Sequence, residues 1–275
     1  MSRLALILFL VLTIGWKSAN AVEATLSVTM DGKPQRYSAD TLRSRSDAVT
    51  ITVENDPSYR RPMTYRAIPL AAIVEVKGKN ENLFLEAKAL DDFVSQLPGA
   101  LALNRDTAKA VAMLAIEDPA APWPPLPGKS VSAGPFYLVW VGANVAAIRS
   151  EQWPYQLASL AEEVAPEKRW PQLAVGPNLA KNDPRRQGQQ IFIVQCLVCH
   201  KLDGGGNSEV GPDLNRPMNP TEYFTLPALR KFLRDPASVR NWPDRKMPSF
   251  EPDALSNADI DRIIQYLQYK AANRK

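Results

Sequence analysis

Cys196-Leu197-Val198-Cys199-His200 is the stretch whose residue types and spacing carry the most chemistry. On a helical turn, positions i and i+3 share a face, so both thiols can point at one edge of a porphyrin and add across its two vinyl groups. The histidine that follows lies close enough for its imidazole to reach the iron from one side. C-x-x-C-H therefore reads as the attachment site of a c-type haem. A thioredoxin-like dithiol would need a βαβ setting, and a zinc site would need two further Cys or His ligands. The chain holds 2 cysteines and 1 histidine, so no second pair can complete a zinc site. The expectation is one covalent haem c on Cys196 and Cys199, with His200 as an axial iron ligand.

The sixth ligand decides the chemistry. A second axial imidazole from this chain is impossible, which leaves the thioethers of Met218 and Met247 in the same part of the chain. Met247 sits in Arg245-Lys246-Met247-Pro248-Ser249-Phe250, between a predicted helix over about 228–234 and the last helix. A proline-bounded loop there could hold sulfur against the open haem face. Met218 follows His200 closely and would reach the iron only if the chain doubled back at once. Met247 is the expected ligand, with Met218 and an open or water-bound site as the alternatives. His/Met ligation raises the reduction potential and leaves no vacancy for peroxide or oxygen, which favours electron transfer over catalysis at the iron.

Two helices are needed to position the motif. Gly188, Phe192, Cys196 and Cys199 recur at helical spacing over 185–199. A glycine inside a helix costs about 1 kcal/mol, so Gly188 implies close approach by another backbone. The candidate partner is the last helix, with Ser256 as N-cap, Asp259 three residues on, and Ile260, Ile263, Ile264 and Leu267 as an apolar stripe bordered by Tyr266. Between them, Gly204-Gly205-Gly206 makes a loop, and Gly211-Pro212-Asp213-Leu214 offers a carbonyl to the free ring nitrogen of His200. Such a bond fixes the tautomer and raises ligand basicity. The alternative is a plain turn.

From about Gly188 to Leu267 the sequence resembles a class I cytochrome c domain. The matching residues are Gly188, Phe192, Cys196/Cys199/His200, Gly211-Pro212-x-Leu214, Met247-Pro248 and Tyr266-Leu267. The resemblance implies a small all-α fold around a covalently held haem, with one edge exposed for electron exchange. Trp242 and Phe250 flank the methionine loop and are read as packing residues, with lining of the haem pocket as the alternative.

The 275 residues suffice for two domains with a core each. Charge is nearly balanced, 33 basic against 29 acidic, and gives no sign of a nucleic-acid partner. The apolar run from Leu4 to Ile14 with Ala19-Asn20-Ala21 behind it reads as a signal peptide over residues 1–21, the alternative being an uncleaved anchor. Export to the periplasm agrees with the haem motif. No later segment is long and apolar enough to cross a membrane. Pro166, Pro171, Pro177 and Pro184 mark an extended proline-rich linker at 166–184, dividing a β-rich domain (22–165) from the haem domain (185–275). From Arg185 onward the chain carries 14 basic and 10 acidic residues, an excess that haem propionates would partly offset.

In the first domain, 24–30 alternates and meets a turn at Asp31-Gly32, 48–54 alternates as well, and 110–116 and 136–141 are apolar runs of strand length. Helical pieces are expected around 69–74 and from Asp91/Asp92. The loop 118–134, with Trp123, is expected to be exposed. Arg60-Arg61 near Asp56 and Glu54 reads as a solvated charge cluster. Arg149-Ser150-Glu151 and Trp153-Pro154-Tyr155 are read as rim and core packing, with a contact to the haem domain or a redox partner as the alternative.

The stretches Thr64-Tyr65-Arg66-Ala67-Ile68-Pro69-Leu70 and Gly134-Pro135-Phe136-Tyr137-Leu138-Val139-Trp140 resemble the molybdopterin-binding domain of the sulfite oxidase family. In that family a cysteine thiolate binds molybdenum. Here no cysteine exists outside the haem motif, so molybdopterin is not expected, and the domain is read as an adapted or cofactor-free version used for docking or regulation. The absence of further histidine argues against a conventional zinc, copper or non-haem iron centre.

The fold class is thus a two-domain chain: an N-terminal α+β, mostly β, sulfite-oxidase-like domain followed by an all-α class I cytochrome c domain. The leading function is a periplasmic monohaem cytochrome that passes single electrons between redox partner proteins. The alternatives are a haem-linked oxidoreductase, whose N-terminal domain oxidises a small substrate, and a haem sensor or peroxidase-like site with an open ligand position.

Overall fold

The computed structural model describes residues 23–74, 83–243 and 245–274. The expected signal peptide lies outside them. β1 (Thr25–Met30) and β2 (Lys33–Ser38) form a hairpin that turns at Asp31 (φ 49°) and Gly32 (φ 69°). Two left-handed residues in a row give the turn the same twist as the strands it joins. α1 (Ala39–Arg43) follows, with Ser38 Oγ accepting from the Thr41 N–H. Then come β3 (Val49–Asp56), β4 (Arg61–Pro69), β5 (Leu83–Ala89), β6 (Val94–Pro98), α2 (Gly99–Ala102), β7 (Ala110–Ile116), β8 (Phe136–Gly142) and β9 (Leu157–Val164).

Among the described residues these strands make two sheets. One has the order β2-β1-β9-β5-β6, with β1 and β9 parallel. The other, β3-β4-β7-β8, is antiparallel throughout. β7 is buried at every position, which explains its unbroken apolar run: both of its faces are covered. Leu26, Ile68, Leu85, Leu114 and Trp140 meet in one hydrophobic core.

Four local expectations need correction. Asp91 does not start a helix. Its carboxylate accepts from Phe93 N–H (3.3 Å), and Asp92 takes φ 64°, so the chain turns a hairpin and β6 pairs with β5. Residues 69–74 hold only a single 3-10 turn, Leu70–Ala72. The loop 118–134 is irregular as expected, but Trp123 tucks inward, edge-on to Tyr65 with ring centroids 4.8 Å apart. Asp56 is no surface charge. It is 1% exposed and accepts from Ser58 N–H (2.9 Å), Tyr59 N–H (2.8 Å), Tyr65 O–H (2.7 Å) and Tyr137 O–H (3.3 Å). Four donors offset what burying a carboxylate costs.

Beyond β9 the chain is helical: α3 (Pro166–Arg169), a 3-10 turn Pro171–Leu173, α4 (Pro184–Gln195), α5 (Pro220–Tyr223), α6 (Leu226–Arg234) and α7 (Asn257–Ala272). The proline-rich stretch is therefore partly helical rather than wholly extended, because Pro166 and Pro171 each sit at a first helical turn, where no N–H is required. Leu173 and Val175 join Phe192, Leu229, Ile263 and Leu267 in a second hydrophobic core. The two cores meet along a polar seam. Arg169 pairs with Glu86 (2.6 Å) and Glu163 (3.4 Å), Asn207 donates to Glu86 (3.2 Å), and Arg149 pairs with Asp259 (3.3 Å). Phe84 of β5 packs against the second core across that seam.

Candidate haem site

α4 begins at Pro184 behind Asp183, whose carboxylate accepts the Arg185 N–H (2.9 Å). Its buried face carries Gly188, Ile191, Phe192 and Gln195. Gly188 lies so close to α7 that a Cβ built on it would stand 2.1 Å from the Arg262 carbonyl oxygen. α7 is started by Ser256 and Asp259, each side chain accepting from the other's backbone N–H. The crossing brings Phe192 against Tyr266, ring centroids 5.4 Å apart, and Tyr266 O–H donates to the Leu173 carbonyl (2.6 Å). Both the helix pair and the reason for Gly188 agree with the sequence.

The thiols lie one step past the helix rather than on it. α4 ends at Gln195, where Cys196 N–H (2.8 Å) and Leu197 N–H (2.9 Å) both donate to the Phe192 carbonyl. Cys199 N–H (3.1 Å) and His200 N–H (2.8 Å) then both turn to the Cys196 carbonyl. The motif is a tight turn continuing the helix, with Leu197 and Val198 buried beneath it. Cys196 and Cys199 form no disulfide. Burial, reinforced by the Glu151 carboxylate, pushes the Cys196 thiol up to about 12 and the Cys199 thiol up to about 11. A working dithiol redox pair needs thiolate near neutral pH, so this environment does not suit one.

His200 Nδ1 stands 2.8 Å from the Pro212 carbonyl oxygen. A carbonyl can only accept, so Nδ1 carries the proton and Nε2 keeps its lone pair for a metal. Burial holds the imidazole below its ordinary pKa, which keeps it neutral. The loop offering that carbonyl is itself tied down: Gly211 N–H donates to Cys199 O (2.7 Å) and Leu214 N–H to Lys201 O (2.8 Å). A Cβ on Gly211 would come within 2.6 Å of His200 Cε1, so only glycine lets the loop lie on the ring.

Sequence reasoning missed the polar scaffold behind this loop. The Asp213 carboxylate gathers the N–H groups of Asp203, Gly204, Asn215 and Arg216 at 2.6–3.1 Å. Asn215 and Asn219 are buried, and their amides donate to the Lys270 (3.4 Å) and Leu267 (3.1 Å) carbonyls in the last turns of α7. Asparagines four apart in a proline-rich loop were the available signal.

Of the two methionines, Met247 packs half-buried against the second core, whereas Met218 is 49% exposed. The Met247 loop is fixed by the Arg245 guanidinium on the Met247 carbonyl and by Phe250 N–H on Arg234 O (3.0 Å). Phe250 is buried, as expected, and Trp242 is exposed. The donor set fits a c-type haem: two unpaired thiols and a neutral imidazole free at Nε2 on one turn, with one thioether on the same core.

A family model for cytochrome c matches residues 186–270. The chain is 32% identical over 102 residues to cytochrome c2 of Rhodoblastus acidophilus, an overlap of 32% of this chain and 94% of that protein. The chain belongs to the cytochrome c family, and its helical part is a cytochrome c domain preceded by a mostly β region. Its cofactor is haem c, covalently bound, and its chemistry is electron carriage. No helix among the described residues is long and apolar enough to cross a membrane.

Proposed function

We propose that this protein is an exported, periplasmic monohaem cytochrome that passes single electrons between redox partner proteins. In this reading residues 1–21 are a signal peptide, 22–165 a β-rich domain that engages a partner, 166–184 the connection, and 185–275 the haem domain. The β-rich domain is read as a version of the sulfite oxidase fold without its molybdenum cysteine. The haem supplies a one-electron iron couple. Cys196 and Cys199 would hold it through thioether bonds, and His200 and Met247 would supply the iron's ligands.

The observation that carries this reading is the His200–Pro212 contact on the same turn as the two free thiols. It orients the imidazole, selects its tautomer and strengthens it as a ligand. The partial burial of Met247 against the exposure of Met218 supports the thioether assignment. With those two residues as ligands the iron would keep no site for a substrate, and the chemistry it would supply is one-electron transfer.

The test is spectroscopic. The oxidised protein should show a sulfur-to-iron charge-transfer band. Met247→Ala should abolish that band and lower the potential, while Met218→Ala leaves both unchanged. Loss of the band in Met218→Ala instead overturns the ligand assignment.

A further inference from the structure

We propose that Glu151, a residue of the β-rich region, is the charge that tunes the reduction potential of the haem from across the seam, at the rim where the thioethers form. The inference rests on the haem reading of Cys196 and Cys199 given above.

Glu151 sits in the 3-10 turn Ser150–Gln152, which packs on the last turns of α4: Arg149 and Gln152 form one wall of a cleft, and Ile191 and Val194 belong to the other. Arg149 Nη1 donates to the Ala254 carbonyl (3.3 Å), and Gln195 Nε2 donates to the same oxygen (3.2 Å). The residue two before Glu151 and the residue just before Cys196 thus converge on one atom. Ser95 Oγ of β6 donates to the Glu151 carbonyl (2.7 Å), and Ser150 Oγ donates to Glu151 Oε1 (3.1 Å), so backbone and carboxylate are both held. The Glu151 carboxylate also helps burial push the Cys196 thiol up, in keeping with that placement. Arg149 acts on Cys196 in the opposite sense, but its guanidinium is engaged by Asp259 (3.3 Å).

The sulfur of Cys196 is where the porphyrin rim must lie. Oxidation adds one positive charge to the iron–porphyrin unit, and a nearby carboxylate stabilises that charge. Glu151 therefore favours the oxidised form and lowers the potential. Neutralising it raises the potential, and reversing its sign raises it further.

The full-length holoprotein and its Glu151→Asp, Glu151→Gln and Glu151→Lys variants are titrated by spectroelectrochemistry at pH 8, well above the ordinary carboxylate range, because burial pushes the Glu151 carboxyl up. The expected order is Lys above Gln, and Gln above Asp and wild type, with visible spectra unchanged. Glu151→Gln should shift the redox equilibrium by up to about tenfold toward the reduced form, about 59 mV for one electron. Potentials that are flat or unordered by charge overturn the proposal, as does loss of haem in Glu151→Asp while the wild type keeps it. A wild-type protein that takes up no haem defeats the reading of the site itself, a distinct outcome.

Discussion

Gly188 of α4 stands where any side chain would collide with the carbonyl of Arg262 in α7: a Cβ would lie 2.1 Å from that oxygen and 2.7 Å from its carbon. Alanine in a helix interior gains about 1 kcal/mol over glycine, but a backbone carbonyl cannot rotate away as a side chain can. Gly188→Ala should therefore lose about 1–3 kcal/mol of stability, read as a lower urea midpoint, in spite of its better helix propensity. A midpoint at or above wild type would mean that the helices have room to spare.

Gly211→Ala should act on the ligand rather than on the fold. The new methyl would press on His200 Cε1 (2.6 Å) and Nδ1 (2.7 Å), turning the ring away from Pro212. The expected result is weaker axial ligation, seen as a high-spin component in the visible spectrum and a shifted potential, with far-UV circular dichroism unchanged.

Asp183 gives a pH signature. Hydrogen bonding from the Arg185 side chain, helped by the Arg185 backbone N–H, holds its carboxyl down at about 2. A carboxyl depressed on folding stabilises the native state fully above its ordinary value and loses that contribution as pH falls through the folded value. Asp183→Asn should melt below wild type at pH 7, and the gap should close between pH 4 and pH 2. A gap constant over that range would show that the charge is immaterial.

Arg149 holds the two cores together through Asp259 (3.3 Å) and the Ala254 carbonyl (3.3 Å). The pair is mostly shielded, with side-chain exposures of 24% and 16%, so its loss falls between the surface and the buried limits. Arg149→Ala should cost about 1–2 kcal/mol in urea unfolding monitored at the haem. No change there would mean that Arg169 and Phe84 suffice for the seam.

How far the chain could be read without coordinates depended on whether one local pattern had one structural meaning. β7 was legible to the residue because seven consecutive apolar side chains at strand length allow little else. The Asp31-Gly32 hairpin and the Ser256 cap were legible because each is a short-range geometric solution. Asp91 misled because a carboxylate accepting a nearby N–H serves a helix cap and a hairpin turn alike, and the pairing of β6 with β5 decided between them. Asp56 misled because nothing local announces that Tyr65 and Tyr137 donate to it from β4 and β8. In the site, the Pro212 carbonyl facing His200 and the close approach at Gly188 could be read directly. The polar scaffold behind the loop could not, since only the tertiary fold brings Asn215 and Asn219 to α7.

The passage from β9 into α4 has a last consequence. Arg169 is anchored to Glu86 and Glu163, Leu173 and Val175 are spent in the second core, and Arg186 closes residues 176–183 by donating to the Gly176 (3.1 Å) and Leu179 (3.0 Å) carbonyls. Nothing in that path serves as a swinging arm. On the proposed reading the haem would be held beside the β-rich region, and a redox partner would have to come to it.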